Sequence, residues 1–125
     1  MNVLDSSGWL EYLAEEPNAD FFAPAIENTA ELIVPSISVY EVFKRVSQQR
    51  DEHTALKATA LMMQGQVINL DISIALSAAK ISIAMSLPMA DSVILATARA
   101  FGATLWTQDE HFKGIEGVRY IAKKK

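Results

Sequence analysis

Cysteine is absent from the 125 residues, which excludes disulfides, thiolate metal sites and thiol nucleophiles and agrees with a reducing compartment. Long hydrophobic runs are missing too. Half of the residues are apolar, yet no stretch approaches the roughly 18 that a membrane span requires, so a folded, soluble chain with no membrane association is expected. The opening MNVLDSSGWL lacks a basic region followed by a long apolar core, and Asp5 arrives too early for a secretory leader, so a cytoplasmic protein is expected. Positive charge is scarce: 11 Lys and Arg against 15 Asp and Glu leave a net charge of −4. That balance argues against gripping nucleic acid by bulk electrostatics, which rests on neutralising phosphates, so any such contact must be local. The closing Lys123, Lys124 and Lys125 read as a solvated, frayed end rather than a binding patch. Repeats, low-complexity segments and linkers are also lacking, and the chain reads as a single domain over 1–125 with one core.

What is present is an alternation of short apolar runs and helical patterns. NVLD at 2–5 reads as a strand stopped by a carboxylate, followed by a turn and the helical pattern WLEYLAEE up to Pro17. A helical stretch over 21–28 is expected to break at Pro24, and ELIVP at 31–35 reads as a second buried strand. Ser36 or Ser38 is expected to cap the next helix, with Tyr40, Phe43 and Val46 on one side and Lys44, Arg45, Gln48 and Gln49 largely on another. Residues 52–64 form a further helical pattern closed by Gly65, and QVINLD is a third strand. Asp71 caps a helix over 72–86, Ser86 and Pro88 restart the helix that bears Asp91, and Gly102 closes it. ATLWT is a fourth strand and VRYIA an edge strand. Strands alternating with helices indicate an α/β fold, a three-layer α/β/α sandwich around a mostly parallel sheet.

In open parallel sheets the crevice beyond the carboxyl ends of the strands receives ligands, and the acids fall there. Asp5 ends the first strand, Asp109 follows the fourth, and Glu41 and Asp91 lie early in helices that begin at that edge. Converging carboxylates repel, so they either take up protons or hold a cation. With oxygen donors and no Cys, Mg²⁺ or Mn²⁺ suits them better than zinc, and such an ion suits phosphodiester hydrolysis by activated water. Each acid also has a structural explanation. Asp5 can cap a helix, Glu41 stands four residues before Arg45, Asp91 favours the positive end of its helix, and Asp109 lies in a turn. From the residues alone both accounts stay open.

Asp5 after an N-terminal strand, VPSISVYEV around Glu41, MADSVILATA around Asp91 and TQDEHF around Asp109 together resemble the PIN-domain ribonucleases, and specifically the VapC-type toxins, from Met1 to about Ile121. The resemblance implies a PIN-like sandwich and a Mg²⁺- or Mn²⁺-dependent endoribonuclease. It further implies the toxin half of a toxin–antitoxin pair, homodimeric, acting on an RNA substrate and inhibited by a VapB-like antitoxin. It gives Asp5, Glu41, Asp91 and Asp109 the catalytic and metal-binding roles, with Ser6 and Thr107 supporting a carboxylate or bound phosphate. Lys44, Arg45, Arg99 and Lys113 are candidates for holding RNA.

His53 and His111 would serve a metal-free ribonuclease as acid and base, but they read as a surface residue and a turn residue. Trp9, Tyr40, Phe101 and Trp106 read as core or subunit interface rather than base-stacking surfaces. The apolar run from Met85 to Ala103 is expected to need cover from a second subunit or an antitoxin segment. Among other functions, a phosphoacceptor signalling domain wants an acidic pair after its first strand, where Ser6 and Ser7 stand. An aspartyl phosphatase wants a second Asp at the place of Ser7. A non-catalytic PIN-like binding or assembly module is the remaining alternative.

Overall fold

The computed structural model describes residues 1–124; Lys125, read above with the solvated end, lies outside the described residues. In chain order the elements are β1 (Asn2–Leu4), α1 (Ser6–Leu13), α2 (Ala19–Glu27), β2 (Ile33–Pro35), α3 (Ser36–Gln49), α4 (Glu52–Met62), β3 (Gln66–Ile68), α5 (Ile72–Met85), α6 (Met89–Ala100), β4 (Thr104–Thr107) and β5 (Val118–Tyr120), with short 3₁₀ turns at Thr29–Glu31 and Glu110–Phe112. Every strand pair is parallel. β4 pairs with both β1 and β5, β2 pairs with β3, and a lone bridge between Asn2 and Leu32 aligns these ladders into the order β3-β2-β1-β4-β5.

Period-two alternation makes the layers. Val3, Ile33 and Leu105 point to one face of the sheet, where they pack with Ile74, Ile81 and Ile94 of α5 and α6. Their neighbours Leu4, Val34 and Trp106 point to the other face, against Trp9, Phe22, Val42 and Met62 of α1 to α4. The result is the expected α/β/α sandwich. Close approach tightens it at Gly8, where a Cβ would meet Phe22 Cε1 at 2.7 Å, so only glycine lets α1 lie against α2. Among the described residues no single helix is long and apolar enough to cross a membrane.

Several local expectations are corrected. Pro24 does not break α2, because Phe22, Ala25 and Ile26 are buried around it and core packing outweighs its helix penalty of about 3 kcal/mol. Neither Ser36 nor Ser38 caps α3. Its N-cap is Pro35, which has no side-chain hydrogen bond to give, and Ser38 is buried inside the helix. The inner side of α3 is Ser38, Val42 and Val46, a true helical stripe, while Tyr40 is 62% exposed. Phe101 also faces solvent, whereas Trp9 and Trp106 are core. Within the 85–103 run Ser92 to Ala98 are buried against the sheet and α5, while Met85, Met89 and Phe101 are exposed, as are Ile72, Leu76 and Ile83 of α5. Asp71 caps α5 as expected, accepting from the Ile74 amide at 2.8 Å.

Candidate active site at the carboxyl edge of the sheet

Where β1 ends, the chain must turn into α1, and Asp5 makes that turn. Its Oδ1 accepts from the Gly8 amide at 3.0 Å and from Ser7 Oγ at 2.7 Å, so it is the N-cap of α1. Its Oδ2 accepts from Thr107 Oγ1 at 2.7 Å, a hydrogen bond that crosses to the last residue of β4. The Thr107 hydroxyl also accepts from the Asp109 amide at 2.9 Å, so one buried side chain ties Asp5 to the backbone of Asp109. Burial pushes the Asp5 carboxyl up to about 6; the hydrogen bonds from Thr107, Ser7 and Gly8 oppose that rise, and the charge of Asp109 adds to it.

Glu41 arrives from α3 and accepts a short hydrogen bond from Ser6 Oγ, the first residue of α1. Asp91 lies in the first turn of α6. Burial holds its carboxyl above the usual range, a hydrogen bond from His111 opposes this, and the charges of Asp109 and Glu41 add to it. Asp109 caps the 3₁₀ turn that follows β4 by accepting from the His111 amide at 2.9 Å. The same turn aims the His111 ring back at the acids, with Nδ1 2.8 Å from Asp91 Oδ2 and 3.3 Å from Asp109 Oδ1. The hydrogen bond with Asp91, reinforced by the charge of Asp109, raises the His111 pKa.

Asp5, Glu41, Asp91 and Asp109, far apart in sequence, thus meet at one edge, with Ser6 and Thr107 each holding one of the carboxylates. The donors fit a hard divalent cation. Asp91, Asp109 and His111 each offer a ligand atom within 4.8 Å of the others, and the charge of Asp109 adds to the burial that raises the Asp5 and Asp91 carboxyls. His111, weighed from the sequence as a turn residue, does stand in the turn two residues beyond Asp109, and that turn brings its ring to the acids.

Unforeseen from the sequence is a buried polar group beside the site. Glu11 accepts from the Asn18 amide and from Gln108 Nε2, each at 2.9 Å, while Asn18 Nδ2 donates to Gln108 Oε1 at 3.0 Å and to the Ala122 carbonyl at 3.1 Å. Gln108 stands between Thr107 and Asp109, so this network fixes the backbone that carries both. The remaining candidates lie elsewhere. His53 is on α4, exposed beside Asp51; Arg99 is at the far end of α6 from Asp91; Lys113 rests over the Tyr120 ring at 5.7 Å.

Comparison with known proteins supports the fold. No curated protein matches the sequence. The fold is similar to a toxin–antitoxin complex from Klebsiella pneumoniae, with a TM-score of 0.80 and 22% identity over 95% of this chain and 96% of that one. It is similar to VapC20 of Mycobacterium tuberculosis, described as a Sarcin-Ricin loop cleaving toxin, with a TM-score of 0.76 and 13% identity over 93% and 95% of the two chains. DNA-bound VapBC from Salmonella typhimurium gives a TM-score of 0.76 and 18% identity over 97% and 96%. The family model of the PIN domain matches residues 3–118, nearly the whole of the sandwich and all four of its edge carboxylates, and the chain belongs to the PIN domain family.

Proposed function

We propose that the chain acts as one domain, a Mg²⁺- or Mn²⁺-dependent endoribonuclease, and that it is the toxin of a VapBC-type toxin–antitoxin pair. The observation that carries this is the acidic edge: carboxylates from β1, α3, α6 and the β4 turn gathered together, with no Lys or Arg among the groups that shift Asp5 and Asp91. Asp5, Glu41, Asp91 and Asp109 are the residues that would hold the ion. When bound, a divalent cation supplies Lewis acidity at the scissile phosphate and makes water easier to deprotonate. The carboxylates orient and deprotonate the attacking water, Thr107 keeps Asp5 and Asp109 in register, and Ser6 does the same for Glu41. Water adds to phosphorus, the P–O3′ bond breaks and the 3′ oxygen takes up a proton, so the products carry 5′-phosphate and 3′-hydroxyl ends.

The toxin assignment rests on the solved relatives, whose descriptions are of toxin–antitoxin complexes, and it brings a VapB-like antitoxin, a cytoplasmic setting and a homodimer. Exposed Ile72, Leu76 and Ile83 on α5 favour a dimer over a monomer. A second reading is favoured by one contact. His111 held by Asp91 at 2.8 Å resembles an acid–base pair, which without metal would direct the 2′-hydroxyl at phosphorus and leave 2′,3′-cyclic ends. Incubating the purified chain with a total RNA pool in Mg²⁺ or in EDTA, and reading the product ends, decides between them. Metal-dependent cuts with 5′-phosphate ends are expected; EDTA-resistant cuts with cyclic ends would transfer the chemistry to His111.

A further inference from the structure

Three surface depressions meet at Ser7, beside the acidic edge. One runs past Asp109 and His111 to Lys123 and Lys124, one runs past Glu41 to Tyr40, Lys44 and Arg45, and the third joins Arg45 to Lys123 and Lys124 directly. In a chain of net charge −4 this brings four of its 11 Lys and Arg residues around one point. Among the described residues none of these four takes part in an ion pair.

The chain that leads into Lys123 and Lys124 is anchored just before them. The Ile121 amide donates to the Thr107 carbonyl at 3.0 Å, continuing the β5 path, and Asn18 Nδ2 fixes the Ala122 carbonyl at 3.1 Å. These two backbone anchors, just before the expected frayed end, set where the next two side chains start. On the opposite rim Tyr40 is exposed with Lys44 Nζ 5.8 Å from its ring centroid, an aromatic face next to a cation.

We propose that these depressions form one track for single-stranded RNA, with Lys123 and Lys124 gripping backbone phosphates on one side of the cleavage site and Lys44 and Arg45 on the other, and Tyr40 stacking a base. The track rests on the nuclease reading given above and names how that site holds its substrate. RNA suits it better than an acidic peptide. Glu41, Asp109 and Glu16 line the same depressions and would repel peptide carboxylates, whereas a strand of phosphates spaced by bases meets cations and an aromatic face in alternation. The acids and bases of the surface then share the strand: the acids face the scissile position, and the bases hold its flanks.

The test uses a fluorescein-labelled single-stranded RNA of mixed sequence, binding measured by anisotropy in EDTA over a range of KCl, and steady-state cleavage measured with Mg²⁺. K123S/K124S removes two exposed charges, and K57S/K80S removes two from other helices as the matched control. The tail variant is expected to weaken binding about fivefold or more at low salt and to reduce the slope of log Kd against log[KCl] by about 1.4, the share of two phosphates at roughly 0.7 each. Its KM is expected to rise by a similar factor while the control moves less. Equal effects of the two double variants would overturn the track and leave the nuclease reading standing, provided the wild type cleaves. A wild type that neither binds nor cuts RNA would overturn both. Loss of affinity for a Glu-rich peptide with RNA binding unchanged would give the surface to a protein partner and overturn the track.

Discussion

At Asp5 three protein donors, from Ser7, Gly8 and Thr107, occupy the carboxylate, whereas Asp91 and Asp109 share the half-exposed His111 ring, and Asp109 accepts besides from the His111 amide. Both regions carry negative charge at the same sheet edge, but the fold uses them differently. Asp5 is a helix cap and a cross-strand tie whose position the backbone depends on. Asp91 makes no side-chain hydrogen bond to the backbone, and its partner in the chain is the His111 ring at 2.8 Å. The difference teaches that a cluster of acids can be read residue by residue for what each would cost the fold if it were lost.

The sharpest way to break this contrast is Asp91→Asn. Cleavage is expected to fall on the order of 10²- to 10³-fold in kcat/KM, while the melting temperature in EDTA stays level or rises because a repulsion has been removed. A clear drop in melting temperature would make Asp91 a structural residue like Asp5. Asp5→Ala is expected to abolish cleavage and also to destabilise the chain by about 2 kcal/mol in urea unfolding, from the lost cap and the stranded donors of Thr107 and Gly8. Activity loss with unchanged stability would erase the distinction from the other side.

The pH dependence sharpens it further. The folded Asp5 carboxyl titrates near 6, above its unfolded value of 3.8, so the fold binds that proton more tightly and its contribution is complete below about pH 4 and lost as pH rises through 6. In metal-free buffer the wild type should therefore lose stability across that window relative to Asp5→Asn, by about 3 kcal/mol at most. Mg²⁺ should restore more stability at pH 7.5 than at pH 5. Parallel pH profiles for wild type and variant would remove Asp5 as the cause. The smallest effect is expected from His111→Gln: with Mg²⁺ present, a decrease of less than about tenfold in kcat/KM and unchanged 5′-phosphate ends, since His111 acts beside the acids rather than as the acid. Complete loss would favour the histidine chemistry.

Strands, their parallel pairing and the edge position of the acids were legible because they follow from alternation and from where short apolar runs stop: Val3 and Leu4 divide between two cores, and Asp5 comes next. What was not legible is set by packing between distant segments. Pro24 survives in α2 because the helix is pinned by its neighbours, and Tyr40 turns outward because the helical phase of α3 follows Ser38, Val42 and Val46. Glu11 reads as one carboxylate in a helical pattern, and only the return of Gln108 and Asn18 from elsewhere explains its burial. His111 looked like a turn residue and is one; the turn itself carries its ring to Asp91.

The lone bridge between Asn2 and Leu32 has a mechanical consequence. It leaves the boundary between β1 and β2 the most sparsely paired line of the sheet, with Asp5 and Asp109 on one side and Glu41, which follows β2, on the other. Across that line the Ser6–Glu41 hydrogen bond is a latch. Amide exchange in β2 and β3 should then proceed through openings that spare β1 and β4, and a ligand gripped by acids of both sides would slow it, so that occupancy of the site and closure of the sheet become a single equilibrium.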